Sequence, residues 1–98
     1  MLKIYKTLIW LYLGQNEISD ERVRILAQAI ENHNHTLEML VVSCNKLLTD
    51  LSIDYLIKMI KHNQSLKKLW IDDCNLSELG KERLNKIQQI KNDFYVRI

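Results

Sequence analysis

The chain has 98 residues, 47% of them apolar, and 14 basic against 12 acidic side chains give a formal net charge of +2. This length holds one domain at most, and the apolar content is that of a folded protein and not of a disordered one. A charge so near neutrality gives no strong electrostatic reason to expect nucleic acid or an anionic membrane as partner.

No segment reaches the length of a membrane span. Met1-Leu2-Lys3-Ile4-Tyr5-Lys6 lacks the long apolar stretch and small-residue cleavage site of a signal peptide. The two cysteines, Cys44 and Cys74, set up no disulfide framework. Free thiols point to a cytoplasmic protein.

From Leu8 onward the chain repeats with a period of 29 residues. Leu8, Leu11, Leu13, Asn16 and Ile18 match Leu37, Leu40, Val42, Asn45 and Leu47, and match again at Leu66, Leu69, Ile71, Cys74 and Leu76. Each copy reads L-x-x-L-x-L-x-x-[N/C]-x-L. The second half of the leucine pattern has the two-residue period of a short strand. Asn16 and Asn45 fall where the strand ends; a buried Asn there offers two donors and an acceptor to backbone groups that a turn leaves unpaired. Cys74, in the third copy, reads as a buried small residue that bonds more weakly, and not as a reactive thiol.

Between these motifs the period changes. Val23, Leu26, Ala27 and Ile30 fall at helical spacing, as do Ile53, Leu56, Ile57 and Ile60. Ser19 or Asp20 caps the first helix, Thr49 or Asp50 the second, and Ser77 the third. Each unit is thus a strand, a turn and a helix. Stacked units place parallel strands on one face and helices on the other. Helices, about 10 Å wide, exceed the strand spacing of about 4.8 Å, so the stack is expected to curve with its strands on the concave side.

These motifs resemble the leucine-rich repeat family. The long repeat, the Asn/Cys alternation, and Asn16-Glu17-Ile18-Ser19-Asp20 followed by Leu26-Ala27-Gln28-Ala29-Ile30 are similar to its ribonuclease-inhibitor-like subclass. That subclass also supplies the ligand-sensing ends of nucleotide-binding immune receptors and the GTPase-activating protein for Ran. The resemblance covers nearly the whole chain. It implies an α/β leucine-rich repeat solenoid, a right-handed β-α superhelix with a curved parallel sheet inside and helices outside. One domain would span 1–98, with repeats at about 8–36, 37–65 and 66–92 and a terminal strand at 94–98. The family commonly carries Gly early in the helical segment; here only Gly80 fits. The resemblance implies fold and not function, because its members bind unrelated partners.

The two ends differ. In the last helical stretch Arg83 stands where Leu26 and Leu56 stand earlier, and the rest is polar, as a terminal unit facing water requires. Phe94-Tyr95-Val96-Arg97-Ile98 has strand character and is expected to close the sheet edge. At the start, Leu2 aligns with Ile60, so Met1-Leu2 reads as the last turn of a helix whose remainder is missing. The first unit would then be uncapped. Two explanations compete: a piece of a longer array, or a homo-oligomer joined through that N-terminal unit.

The candidate binding residues lie between the buried leucines, on the concave side: Trp10 and Tyr12, Met39 and Val41, Lys68 and Trp70, with Gly14, Ser43 and Asp72 at the strand ends. Both tryptophans fall in these columns. Contiguous exposed aromatic and apolar residues are unusual on a monomer and enriched at contact cores; the plainer alternative is that they pack on one another. Asp72 and Asp73 are adjacent on a strand end, so they point apart and read as a solvated turn. His33, His35 and His62 sit in helix-to-strand loops without the further ligands zinc requires. The expected function is non-catalytic recognition of a protein or peptide, with no metal, cofactor, nucleic acid or membrane. The alternative is a fragment of a larger sensor or GTPase-regulatory leucine-rich repeat protein with no activity of its own.

Overall fold

A computed structural model describes residues 9–33 and 35–98. The expectations placed on Met1-Leu2 as a helix end, and on Leu8 as a strand position, lie outside the described residues. Strand β1 (Trp10–Tyr12) leads to helix α1 (Asp20–His33). Strand β2 (Met39–Val41) leads through a 3-10 turn (Asp50–Ser52) to α2 (Ile53–His62). Strand β3 (Lys68–Trp70) leads to α3 (Glu78–Ile90), and β4 (Tyr95–Arg97) follows.

The helices form where the apolar period demands. Val23, Leu26, Ala27 and Ile30 of α1 are all buried, and Asp20 and Glu21 lie in its first turn, where negative charge is favourable. In α2 the buried set is Ile53, Leu56, Met59 and Ile60. Met59 thus takes a core place expected for Ile57, which is only half-buried. Ser77 caps α3 by accepting from the Gly80 amide at 3.0 Å, and Thr49 caps the 3-10 turn through the Leu51 amide at 3.2 Å. Arg83 is exposed on α3 and pairs with Asp54 of α2.

The four strands are parallel and lie in chain order. Trp10 pairs with Met39 and Met39 with Lys68, so the sheet register follows the 29-residue period. The last step is shorter: Lys68 pairs with Tyr95, 27 residues on. Leu40, Leu69 and Val96 point into a single core that also takes Leu26, Ile30, Leu56 and Leu84. Each fully buried aliphatic side chain stabilises the fold by about 1.5–3 kcal/mol relative to exposure.

The superhelical solenoid expected from the repeat is corrected here. The described residues form a small compact α/β domain of three helices and a four-stranded parallel sheet, measuring 34 × 30 × 17 Å with a radius of gyration of 12.1 Å. Four strands at about 4.8 Å spacing advance only about 14 Å, too little for a superhelix to develop. One core joins residues from Val23 to Val96.

Candidate protein-recognition surface

Because side chains alternate along a strand, burying Leu40, Leu69 and Val96 turns their neighbours to the other face of the sheet. One row there holds Trp10, Met39, Lys68 and Tyr95. The next holds Tyr12, Val41, Trp70 and Arg97. Gly14, Ser43 and Asp72 continue the face past the strand ends.

Exposure across this face is uneven. Trp10 is 59% exposed, Tyr12 58% and Tyr95 52%, but Met39 is 8% and Val41 7%. The expectation that Met39 and Val41 stand free in outer columns is therefore corrected: both are buried. They lie on an inner strand with bulkier side chains on both flanks, whereas β1 and β4 have a described neighbouring strand on one side only. The Tyr12 hydroxyl reaches the Met39 sulfur at 3.9 Å. Trp70 is half-buried, with the Arg97 guanidinium 4.8 Å from its ring centroid, in cation–π range.

Asp72 anchors the upper end. It accepts a hydrogen bond from the Ser43 hydroxyl at 2.5 Å and lies 4.0 Å from Arg97 Nε. A shallow hollow of about 380 Å³ opens among Tyr12, Val41, Ser43, Trp70, Asp72 and Arg97. A second, of about 230 Å³, lies among Trp10, Tyr12, Glu38, Met39, Lys67 and Lys68. The indole Nε1 of Trp70 is buried and has no acceptor among the described residues.

Tyr95 and Arg97 were absent from the expected surface. Their signal was in the sequence: Phe94, Val96 and Ile98 alternate with them, which sends Tyr95 and Arg97 to the face opposite the core. What was missing was the shortened last step that brings Arg97 beside Trp70.

The turns behind this face are polar and closely tied. Asn45 is fully buried; its amide donates to the carbonyls of Leu13 at 3.0 Å, Val42 at 2.7 Å and Ser43 at 3.2 Å, while its oxygen accepts from the Ile18 amide at 3.2 Å. Asn16 departs from expectation: it is exposed and donates locally to the Gly14 carbonyl at 3.1 Å. No described strand precedes β1 to enclose it. Cys74 is half-buried, its thiol 3.2 Å from the Val42 carbonyl, and burial pushes its pKa up. Positive φ recurs at Gln15, Cys44 and Asp73, one per turn.

Asp20 and Asp50 reach forward to the next unit. The Asp20 carboxylate accepts from the Thr49 amide at 2.9 Å and hydroxyl at 2.6 Å, and from the Ser52 hydroxyl at 2.5 Å. Asp50 accepts from the Ser77 amide at 2.9 Å and from its hydroxyl, and these bonds hold its pKa below the usual aspartate value. At the helix ends, Asn63 is buried and donates to the Ile30 carbonyl at 2.8 Å while accepting from the Ser65 and Leu66 amides. Sequence reasoning missed it, since Lys61-His62-Asn63 reads as an ordinary polar loop.

His62 Nδ1 bonds the Lys58 carbonyl at 2.9 Å and lies 3.5 Å from Glu31. Among the described residues no group of three His, Cys, Asp or Glu is brought together to hold a metal. No helix of the described residues is long and apolar enough to cross a membrane. The chain matches no protein-family model and no curated protein sequence.

Proposed function

We propose that this protein is a non-catalytic recognition module that binds a protein or peptide on the outer face of its sheet. The observation that carries this reading is a set of exposed rings: Trp10, Tyr12 and Tyr95 are each more than half exposed on one face of the sheet. Rings of this kind bury large area with little loss of rotamer freedom. Burial of apolar surface contributes about 25 cal/mol per Å² before the costs of association. Met39 and Val41 form the floor, while Lys68, Trp70 and Asp72 give it a polar side. The face lies on strands anchored by a continuous core, so little ordering is required on binding.

The 29-residue register of β1, β2 and β3 supports kinship with the leucine-rich repeat family. Two free thiols favour a cytoplasmic setting. An apolar hollow of about 400 Å³ beside β1, lined by Leu13, Ile18 and Ile25 among others, supports self-association through the first unit as a separate property; sedimentation at rising concentration checks it.

The test of recognition is a selection of peptides displayed on phage against the folded chain, with Trp10→Ser/Tyr12→Ser as the counter-target. Peptides held by the wild type and not by the variant are expected. Equal retention on both would refute the reading.

A further inference from the structure

We infer that the peptide taken by this face is acidic as well as apolar, with a carboxylate seated at Lys68 and Arg97 beside Trp70. The inference rests on the recognition reading above and names the chemistry of its ligand.

Three observations meet at Trp70. Its Nε1 is a buried donor without an acceptor among the described residues. Nearly all buried donors in folded proteins find one, and an orphan costs about 1–3 kcal/mol, which marks Trp70 as the unsatisfied point of the face. Arg97 covers the ring at 4.8 Å, and its contact with Asp72, at 4.0 Å, is at the outer limit of an ion pair. Asp72 already accepts the Ser43 hydroxyl at 2.5 Å. The guanidinium, with five donors in a planar fork, thus retains capacity for a carboxylate from outside.

Lys68 is the third. It is exposed, lies on the same face of β3 as Trp70, and has no carboxylate partner among the described residues. Lys67 lines the lower hollow with Lys68, two cations against the single carboxylate of Glu38 there. The rings Trp10, Tyr12 and Tyr95 flank this basic strip with apolar surface. A segment alternating aliphatic or aromatic side chains with carboxylates complements both features. A basic segment would meet Lys68 and Arg97 as like charges.

Random dodecapeptides displayed on phage, selected on the folded 98-residue chain and counter-selected on Trp10→Ser/Tyr12→Ser, test this. Peptides that depend on the face are expected to be enriched in Asp and Glu beside Leu and Phe. The best of them, synthesised, should lose affinity about tenfold on Lys68→Gln and on Arg97→Gln, with the loss shrinking in high salt. Amidating its carboxylates should do the same. Circular dichroism confirms that each variant is folded, as exposed substitutions allow. Face-dependent peptides that are neutral or basic, or acidic ones indifferent to both substitutions, overturn this inference and leave the recognition surface standing. Absence of any face-dependent peptide overturns both.

Discussion

The turn around Asn45 and the face around Trp10 use opposite kinds of residue to opposite ends. At the turn, a polar side chain is fully buried with both its amide nitrogen and its oxygen bonded to backbone groups. On the face, large apolar rings stand in water and one indole donor is left without a partner. The first arrangement is costly to disturb, because the Leu13 carbonyl and the Ile18 amide would lose the partner that Asn45 gives them, and the Val42 and Ser43 carbonyls would keep only the Cys74 thiol and the Gln15 amide. The second contributes little to folding, because exposed rings gain little by it. Polarity in this chain marks stability, and exposed apolar surface marks a place for something else to bind.

The comparison is broken most severely at the turn. Asn45→Ala should destabilise the domain by about 3 kcal/mol, as the Leu13 carbonyl and the Ile18 amide lose their partner and the Val42 and Ser43 carbonyls lose one of two; urea unfolding measures it. Loss of less than about 1 kcal/mol would mean that water replaces the side chain. That is a large share of the roughly 5–15 kcal/mol such a domain holds in total.

Gly80→Ala comes next. A Cβ there would lie 2.5 Å from the Asp50 carboxylate oxygen, so Asp50 must move and its bonds to Ser77 loosen. A loss of about 1–2 kcal/mol in the same assay is expected. The same glycine is thus required by the carboxylate packed against it, and not by its backbone angles.

Asp50 also gives the fold a dependence on acid. Its folded pKa is depressed, chiefly by the Ser77 hydroxyl bond. Its contribution is therefore complete above the unfolded aspartate value of about 3.9 and is lost as pH falls through the lower folded value. Asp50→Asn should flatten stability against pH below about pH 4 and leave the slope near neutrality unchanged, as read from denaturant midpoints across that range.

The smallest effect on folding is expected on the face. Trp10→Ser with Tyr12→Ser should change the unfolding free energy by less than about 1 kcal/mol, yet abolish peptide capture. Should the double variant instead unfold readily, the rings would be structural and the contrast between turn and face would collapse.

Much of this was legible from period alone. The strand positions, the stripe of α1 and the cap at Ser77 follow from alternation and from helical spacing, which are properties of the backbone. Other features depended on neighbours. Leu47, a motif leucine, is 52% exposed, while the adjoining Leu48 is buried, because the turn closes from the Leu48 amide to the Asn45 carbonyl at 3.1 Å. Asp20 and Asp50 sit where helix caps belong, yet their carboxylates serve the following unit. A cap residue and a bridging residue are the same letters; which role is taken depends on what stands opposite.

The amino-acid order by itself determined which residues form strands and helices and which side of each meets the core, since those depend on periods of two and 3.6 residues. It also determined that both tryptophans share a face. Only the tertiary structure decided that this face is half covered, with Met39 and Val41 sunk between larger neighbours, and that the last strand arrives 27 residues on to lay Arg97 over Trp70. It decided too that four short parallel strands and the helices packed on them share one core as a compact domain. Exposure and shape depend on the bulk of side chains adjacent in space but distant in sequence, and a repeat pattern carries no measure of that.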